Sequence, residues 1–160
     1  MRASRTLEKL SAGRTVRICG LGHFIPSFVR HASHFGFDCI WLDLEHRAMG
    51  DREVQALLAM SHQHGIDIMV RSPTREKVKL YRYLEDGASG LMIPHVTTAE
   101  EAHDLVQSTK FPPLGNRGID AAGLDSDFIL QGGEGYTDAA NTETFLAVQI
   151  ESPEAVSNVD

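Results

Sequence analysis

Several polar residues of the chain come directly after short apolar runs, where the strands of an α/β protein would end. Glu45 and His46 follow one such run, and Arg71 follows the next. Arginine binds a carboxylate or a developing oxyanion, and histidine transfers protons. Glutamate oxygens suit a hard divalent ion. Together these residue types fit a small anionic oxo acid as ligand.

The same placement recurs further along the chain. His95 follows a fourth apolar run, and Gln149 and Glu151 follow a fifth. Ligands of βα proteins bind at the carboxyl ends of parallel strands. We therefore expect these side chains to lie together around one cleft at that end of the sheet, which we call the mouth. His23, after the first run, either lines that mouth or lies outside it.

The segment of residues 37–50, FDCIWLDLEHRAMG, carries the strongest single signal. Asp43 and Glu45 lie within an apolar run, directly before His46. A buried carboxylate is costly unless it is paired, hydrogen-bonded or bound to metal, so this strand end predicts a functional site. The alternative is structural, with one carboxylate capping the next helix or pairing with Arg47.

Other candidate residues also have structural alternatives. Arg71 would serve stability alone if it only paired with Asp43 or Glu45. Glu151 could be an N-terminal carboxylate of the helix that follows it, and His95 a supporting residue. The remaining histidines fall on predicted helices and are expected to be surface or packing residues: His31, His34, His62, His64 and His103.

The elements that would position these residues alternate regularly. Strands are predicted at 15–24, 37–46, 66–73, 87–96 and 144–152, and helices at 4–11, 26–34, 51–64 with Asp51 as cap, 75–85, 98–109 and from 153 onward. This order predicts a parallel sheet with right-handed crossovers. The apolar strands suggest that both sheet faces are covered, and a doubly wound sheet and a (β/α)8 barrel both fit.

One irregular segment interrupts the pattern. Residues 110–127 carry two prolines and three glycines without periodicity, which is typical of a functional or disordered loop. Short helical pieces are predicted after it at 127–131 and 137–143. No phosphate-binding glycine loop follows the first strand, which disfavours a nucleotide-binding protein.

Composition limits the class of protein. The 160 residues are 42% hydrophobic and 23% charged with a net charge of −7, which is typical of one globular domain. The negative charge argues against a nucleic-acid partner. No apolar run approaches the length of a membrane span and no signal-peptide pattern is visible, so neither a membrane span nor secretion is expected. Cys19 and Cys39 are expected to be free thiols of a cytoplasmic protein.

Five motifs, taken together and in this order, resemble the HpcH/HpaI aldolase family. They are WLDLEH (41–46) followed by Arg47, MVRSP (69–73), LMIPHV (91–96), FPPLGNRG (111–118) and VQIES (148–152). These enzymes are metal-dependent (class II) pyruvate aldolases related to the citrate lyase β-subunit. The resemblance covers nearly the whole chain.

The resemblance implies an α/β fold of the TIM (β/α)8 barrel type, of which the chain would hold the first five β-α units. Residues 1–160 would then be the N-terminal part of a single aldolase barrel domain, since a full barrel typically needs about 250 residues. Family members form homo-oligomers, usually hexamers. Because the family takes a second metal carboxylate from a sixth strand, the chain alone is expected to have little or no activity.

The activity implied is cleavage of a 4-hydroxy-2-oxo acid to pyruvate and an aldehyde. A divalent metal ion (Mg²⁺, Mn²⁺ or Co²⁺) would stabilise the enolate. By motif, His46 and Arg71 match catalytic residues, Arg71 and Gln149 substrate-binding residues, and Glu151 a metal ligand. The supporting residues would be Asp43 and Glu45 beside His46, and Glu85, which falls near an acidic residue that reaches a neighbouring subunit's site.

Two other functions stay open. One is a related lyase or decarboxylase that acts on a 2-oxo diacid or an acyl-CoA. The other is a catalytically inactive truncated chain that binds a partner. The sequence names neither the aldehyde nor the native metal.

Overall fold

The computed structural model describes residues 1–159, which form one parallel sheet with helices between its strands. The strands are β1 (Ile18–Leu21), β2 (Cys39–Asp43), β3 (Asp67–Arg71), β4 (Gly90–Ile93) and β5 (Phe145–Val148). The helices are α1 (Arg5–Ser11), α2 (Pro26–His34), α3 (Asp51–His64), α4 (Lys77–Glu85), α5 (Ala99–Thr109), α6 (Tyr136–Glu143) and α7 (Pro153–Ser157). None of these helices is long and apolar enough to cross a membrane.

The strand order decides between the two folds that the sequence allowed. The strands lie in the order β1-β2-β3-β4-β5, each parallel to its neighbour. A doubly wound sheet reverses its order at a switch point, and no reversal occurs among the described strands. The sequential order is that of a (β/α)8 barrel. Within residues 1–159, β1 and β5 each pair on one side only, so the barrel is not closed.

The two faces of the sheet differ in burial. One face packs on the helices and carries the core, with fully buried side chains such as Ile40, Leu42, Ile68, Val70 and Leu91. On the other face, Trp41 and Phe145 are only partly buried. Cys39 and Met69 on that same face are buried, so among the described residues this face is partly covered. Right-handed crossovers between sequential strands put the helices on one side.

The less covered face contains a row of residues that are paired across all five strands. In order from β1 to β5 they are Gly20, Trp41, Met69, Gly90 and Phe145. A Cβ atom added at Gly90 would overlap the Phe145 ring, whereas one added at Gly20 would meet nothing within 4 Å. Gly90 therefore makes room for an aromatic ring, and Gly20 does not.

This difference predicts opposite effects for two matched substitutions. Gly90→Ala is expected to lower the free energy of unfolding by about 1–3 kcal/mol, because the ring must shift. Gly20→Ala should change it by only about 0.5 kcal/mol, in the stabilising direction, because alanine has less chain entropy to lose. Urea unfolding of both variants measures this. Equal losses, or no recovery in Gly90→Ala/Phe145→Leu, would contradict the packing explanation.

Most helix ends follow the sequence signals. Thr98 and Glu101 form the predicted capping box, with the Thr98 hydroxyl accepting from the Glu101 N–H at 3.2 Å. Asp51, predicted as the cap of α3, is instead its first residue. Gly50 is the cap, and its N–H donates to Glu53 Oε2 at 2.7 Å.

The predicted helical piece at 127–131 is wrong. Asp127, Phe128 and Ile129 have φ of 53°, 52° and 74°. Left-handed backbone of this kind cannot continue a right-handed helix. A short 3₁₀ turn lies just before these residues instead, at Leu124–Ser126.

The irregular loop is held by a buried ion pair. Arg117 Nη2 lies 2.9 Å from Asp125 Oδ2, and both side chains are almost fully buried. Tyr136 Oη donates to the same oxygen at 2.6 Å, and the Arg117 guanidinium lies 4.4 Å from the centre of the Phe111 ring. These contacts order a segment that has no regular secondary structure of its own.

The amino-terminal segment is anchored by a carboxylate at the start of β3. Asp67 is fully buried and accepts from Arg2 Nη2 at 2.8 Å, from Ser4 Oγ at 2.7 Å and from the Thr6 N–H at 2.8 Å. Burial alone would raise the pKa of Asp67, but these donors lower it below its usual value. Residues 2–6 are thus tied to the end of the sheet opposite the candidate site.

Candidate active site

Asp43 and Arg71 form the centre of the candidate site. They end β2 and β3 and face each other in register. Arg71 Nε donates to Asp43 Oδ1 at 3.1 Å, and Nη2 lies 2.8 Å from Oδ2. Burial favours the protonated form of Asp43, but the bond from Arg71 and the backbone N–H groups of His46 and Glu45 outweigh it and lower the pKa. The ionised form of Asp43 is therefore favoured, and it holds Arg71.

Glu45 contacts the same guanidinium from another side. Its Oε2 lies 3.0 Å from Arg71 Nη1, and its side chain is 15% exposed. The sequence allowed Arg71 to pair with Asp43 or with Glu45, and in the structure it pairs with both. A guanidinium carries five N–H groups. Nε donates a hydrogen bond, and each terminal nitrogen lies in ion-pair contact with one carboxylate oxygen. Among the described residues, each terminal nitrogen therefore keeps at least one N–H for a ligand.

His46 lies beside this group and is open to solvent. Its side chain is 63% exposed, and its Nε2 lies 3.6 Å from Glu45 Oε2. Its backbone N–H donates to Asp43 Oδ1 at 3.2 Å. Asp43 therefore fixes the backbone at His46, while Glu45 faces the ring. An exposed imidazole beside an arginine can exchange protons with a bound ligand.

His95 connects the two sides of the mouth. Its Nε2 lies 3.3 Å from Glu45 Oε1, and its Nδ1 lies 3.5 Å from Glu151 Oε2. The residue has φ of 57°, a left-handed backbone conformation that is uncommon for non-glycine residues. It is held there by its N–H, which donates to Glu151 at 3.0 Å, and by its carbonyl, which accepts from Arg75 Nη2 at 2.6 Å. This fits the supporting role that the sequence favoured.

Gln149 and Glu151 complete the mouth on the side of β5. The Gln149 N–H donates to the Ile93 carbonyl at 2.9 Å, which extends the pairing of β4 and β5. Gln149 Nε2 donates to Glu151 Oε1 at 3.3 Å, while Gln149 Oε1 is buried and has no hydrogen-bond partner among the described residues. Glu151 does not cap α7, because Ser152 accepts from the helix N–H instead.

The charges at the mouth suit a divalent cation. Asp43, Glu45 and Glu151 surround Arg71, which leaves two excess negative charges when the histidines are neutral. The nearby Arg75 does not change this balance, because it is paired with Glu101. Carboxylate oxygens are hard donors. Among residues 1–159, however, no three histidine, cysteine or acidic side chains are close enough together to hold a metal ion. The donor chemistry fits a metal, but the ligand set present is partial.

One candidate lies elsewhere. Glu85 is the last residue of α4 and precedes β4, so it lies at the opposite end of the sheet from Arg71. Burial raises its pKa, and the positive charge of Arg117 opposes this shift. His23 is exposed after β1 and forms no contact with the group in the part of the chain described.

Two residues at the mouth had not been given a role from the sequence. Arg75 fixes the His95 carbonyl, and Trp41 lies under Arg71, with 5.0 Å between the ring centre and the guanidinium carbon. The signal for Trp41 was its position two residues before Asp43, since side chains two apart on a strand share a face. Arg75 gave no such signal, because its contact depends on a loop conformation.

Comparison with known proteins identifies the family of the chain. The family model for HpcH/HpaI aldolase/citrate lyase matches residues 21–160. The chain is 32% identical over 151 residues to a hydroxypyruvate/pyruvate aldolase of Deinococcus radiodurans, covering 94% of this chain and 54% of the relative. It is 36% identical over 133 residues to a 5-keto-4-deoxy-D-glucarate aldolase of Escherichia coli, covering 78% and 48% of the two chains.

A solved structure supports the fold. The HpcH/HpaI aldolase from Desulfitobacterium hafniense superposes with a TM-score of 0.86 at 32% identity, over 95% of this chain and 59% of that one. The chain thus spans about half the length of the curated relatives it matches. The match of the family model over most of the sequence shows that the chain belongs to the HpcH/HpaI aldolase/citrate lyase family.

Proposed function

We propose that the strand-end group is the 2-oxo-acid site of a metal-dependent aldolase, which cleaves a 4-hydroxy-2-oxo acid to pyruvate and an aldehyde. The observation that carries the proposal is Arg71, which two carboxylates hold at the mouth with an unused N–H on each terminal nitrogen. A fixed fork of this kind matches a carboxylate or an enolate oxygen. The aldolase names of the relatives support it.

Three residues of the group act directly on the substrate in this reaction. His46 takes the proton from the 4-hydroxyl, and the C3–C4 bond breaks as the aldehyde carbonyl forms. The bonding electrons move to the C2 oxygen, where Arg71 stabilises the enolate of pyruvate. Gln149 contacts the bound acid through its amide. Protonation at C3 then gives pyruvate.

The cation is part of this proposal. Glu151 would hold a Mg²⁺, Mn²⁺ or Co²⁺ ion, with the excess negative charge at the mouth favouring its binding. When bound, the ion supplies Lewis-acid stabilisation of the oxo-acid oxygens. Hard oxygen donors accept all three ions, so the ligand type alone does not select one.

Because the chain alone is expected to have little or no activity, activity is measured on the complete barrel of which residues 1–160 would be the N-terminal part. The substitution that tests the base is His46→Gln. It keeps a polar side chain of similar size, but glutamine cannot take a proton near neutral pH. The rate of pyruvate release from a 4-hydroxy-2-oxo acid should fall by about 10²–10⁴-fold, with the melting temperature unchanged because the ring is exposed. A loss below about threefold would mean that another group acts as the base.

The same assay separates the alternatives. Faster decarboxylation of oxaloacetate than cleavage of any hydroxy-oxo acid would favour the related decarboxylase. The inactive-chain alternative would be favoured if neither substrate is turned over and if the protein unfolds cooperatively at a melting temperature that added metal does not change.

The proposal extends to the domain, the assembly and the location of the protein. We infer that residues 1–160 form the N-terminal part of one barrel domain, supported by the 54% coverage of the Deinococcus relative. A cytoplasmic homo-oligomer, a hexamer in the family's usual form, is supported by two free cysteines and by exposed apolar side chains at Phe128, Ile129 and Leu130. Glu85 would contribute to a neighbouring subunit's site.

A further inference from the structure

Trp41 is the single tryptophan of the chain, and it lies against the arginine that is proposed to bind the oxo acid. It lies on β2 two residues before Asp43, so both side chains point to the same sheet face. The guanidinium carbon of Arg71, on the neighbouring strand, lies 5.0 Å from the centre of the indole. This distance is typical of a cation–π contact.

The indole of Trp41 restricts a movement of the Arg71 guanidinium that the carboxylates of Asp43 and Glu45 do not restrict. Asp43 and Glu45 contact the nitrogens of Arg71, which line the edge of the planar guanidinium. Contacts along that edge do not by themselves prevent the plane from tilting. The guanidinium carbon lies over the Trp41 ring at 5.0 Å, so the ring limits how far the guanidinium can move toward the sheet. Arg71, with a side chain only 13% exposed, is thus confined from two directions.

The part of Trp41 that matters is its ring face. Its indole N–H is buried and has no hydrogen-bond partner among the described residues. The N–H therefore contributes nothing to holding the side chain, which is unusual for a buried indole N–H. What remains is the packing of the ring and its attraction for the cation above it. A phenylalanine would keep part of both, and a leucine would keep packing alone.

We propose that Trp41 is a positioning residue for Arg71: its ring face fixes the plane of the guanidinium so that the two unused N–H groups face the mouth. This inference rests on the proposed function for its consequence, the binding of a 2-oxo acid, but not for the contact itself. It also makes Trp41 a built-in reporter, because the fluorescence of the single tryptophan responds to changes at Arg71.

The contact is tested without any ligand, by NMR of the Arg71 Nε–H in the protein and in Trp41→Leu and Trp41→Phe. The nearby indole shifts this proton, and its bond to Asp43 slows its exchange with solvent. In Trp41→Leu the shift should disappear and exchange should quicken, with Trp41→Phe between. An Nε–H signal that Trp41→Leu leaves unchanged in position and exchange overturns the inference. Melting curves check that each variant is folded.

The consequence is tested with oxalate, a planar stand-in for the enolate of pyruvate, in the presence of Mg²⁺. By calorimetry, Trp41→Leu should bind oxalate about five- to thirtyfold more weakly, and Trp41→Phe within about threefold of the parent. Equal affinity in Trp41→Leu would contradict the positioning role. If the parent itself does not bind oxalate while Trp41→Leu still alters the Nε–H signal, the proposed function fails and the contact stands.

Discussion

Replacing Arg71 with alanine is expected to reduce pyruvate release about a thousandfold. Two N–H groups that stabilise the enolate oxygen are lost, and removing even one such donor from an active site is costly. Asp43 and Glu45 also lose their shared cation, so the mouth becomes more negative and repels the oxo acid. The measurement is the steady-state rate with a 4-hydroxy-2-oxo acid at saturating Mg²⁺.

Arg71→Lys is the matched variant. It keeps the positive charge but not the planar fork, so it should recover only part of the lost rate. Melting temperatures of both variants separate a loss of function from a loss of folding. Full activity in Arg71→Lys would show that charge alone suffices, and full activity in Arg71→Ala would remove Arg71 from the mechanism.

The largest effect on stability is expected at Asp67, far from the mouth. Asp67→Ala should lower the free energy of unfolding by about 3–5 kcal/mol, because it leaves a buried pair broken. Arg2, Ser4 and the Thr6 N–H would lose their acceptor inside the protein. Asp67→Asn keeps an acceptor and should cost less, about 1.5–3 kcal/mol. Urea unfolding at pH 7 measures both.

The shifted pKa of Asp67 also predicts how the stability of the protein depends on pH. The folded pKa of Asp67 is lowered, so its contribution is fully present above the unfolded value of about 3.9 and is lost as pH falls toward the folded value. Acid destabilisation below about pH 5 should therefore be weaker in Asp67→Asn than in the parent. Asp104→Asn, at an exposed position of α5, is the control. It should leave unchanged the acid limb of the curve, which is the fall in the free energy of unfolding at low pH. Identical acid limbs in all three proteins would contradict the role of Asp67.

Much of the fold follows from local signals. Apolar runs locate β2 and β3, and the capping box at Thr98 locates the start of α5. The strand order was not accessible in this way, because doubly wound and barrel sheets share the same alternation of strand and helix. The turn at Asp127 was mispredicted, since its positive φ values fall on residues that carry no glycine signal.

Local sequence signals also predicted part of the candidate site. Arg71 and Glu45 are strand-end residues, and the geometry of parallel strands brings such residues together. Glu85 is the last residue of a helix, and the helices of this fold end at the opposite end of the sheet from the candidate site. The contact of Trp41 with Arg71 depends on the direction of two side chains. Sequence spacing gives the shared face of Trp41 and Asp43, but not the position of the guanidinium above the ring.

The most direct test of the central claim is the exchange of the methyl protons of pyruvate in D₂O, followed by proton NMR. This exchange requires the enolate and needs no knowledge of the aldehyde. We expect the complete barrel with Mg²⁺ to speed the loss of the methyl signal, and chelation of the metal or Arg71→Ala to abolish this effect. Exchange that proceeds equally after chelation or in Arg71→Ala would contradict a metal-assisted, Arg71-centred 2-oxo-acid site.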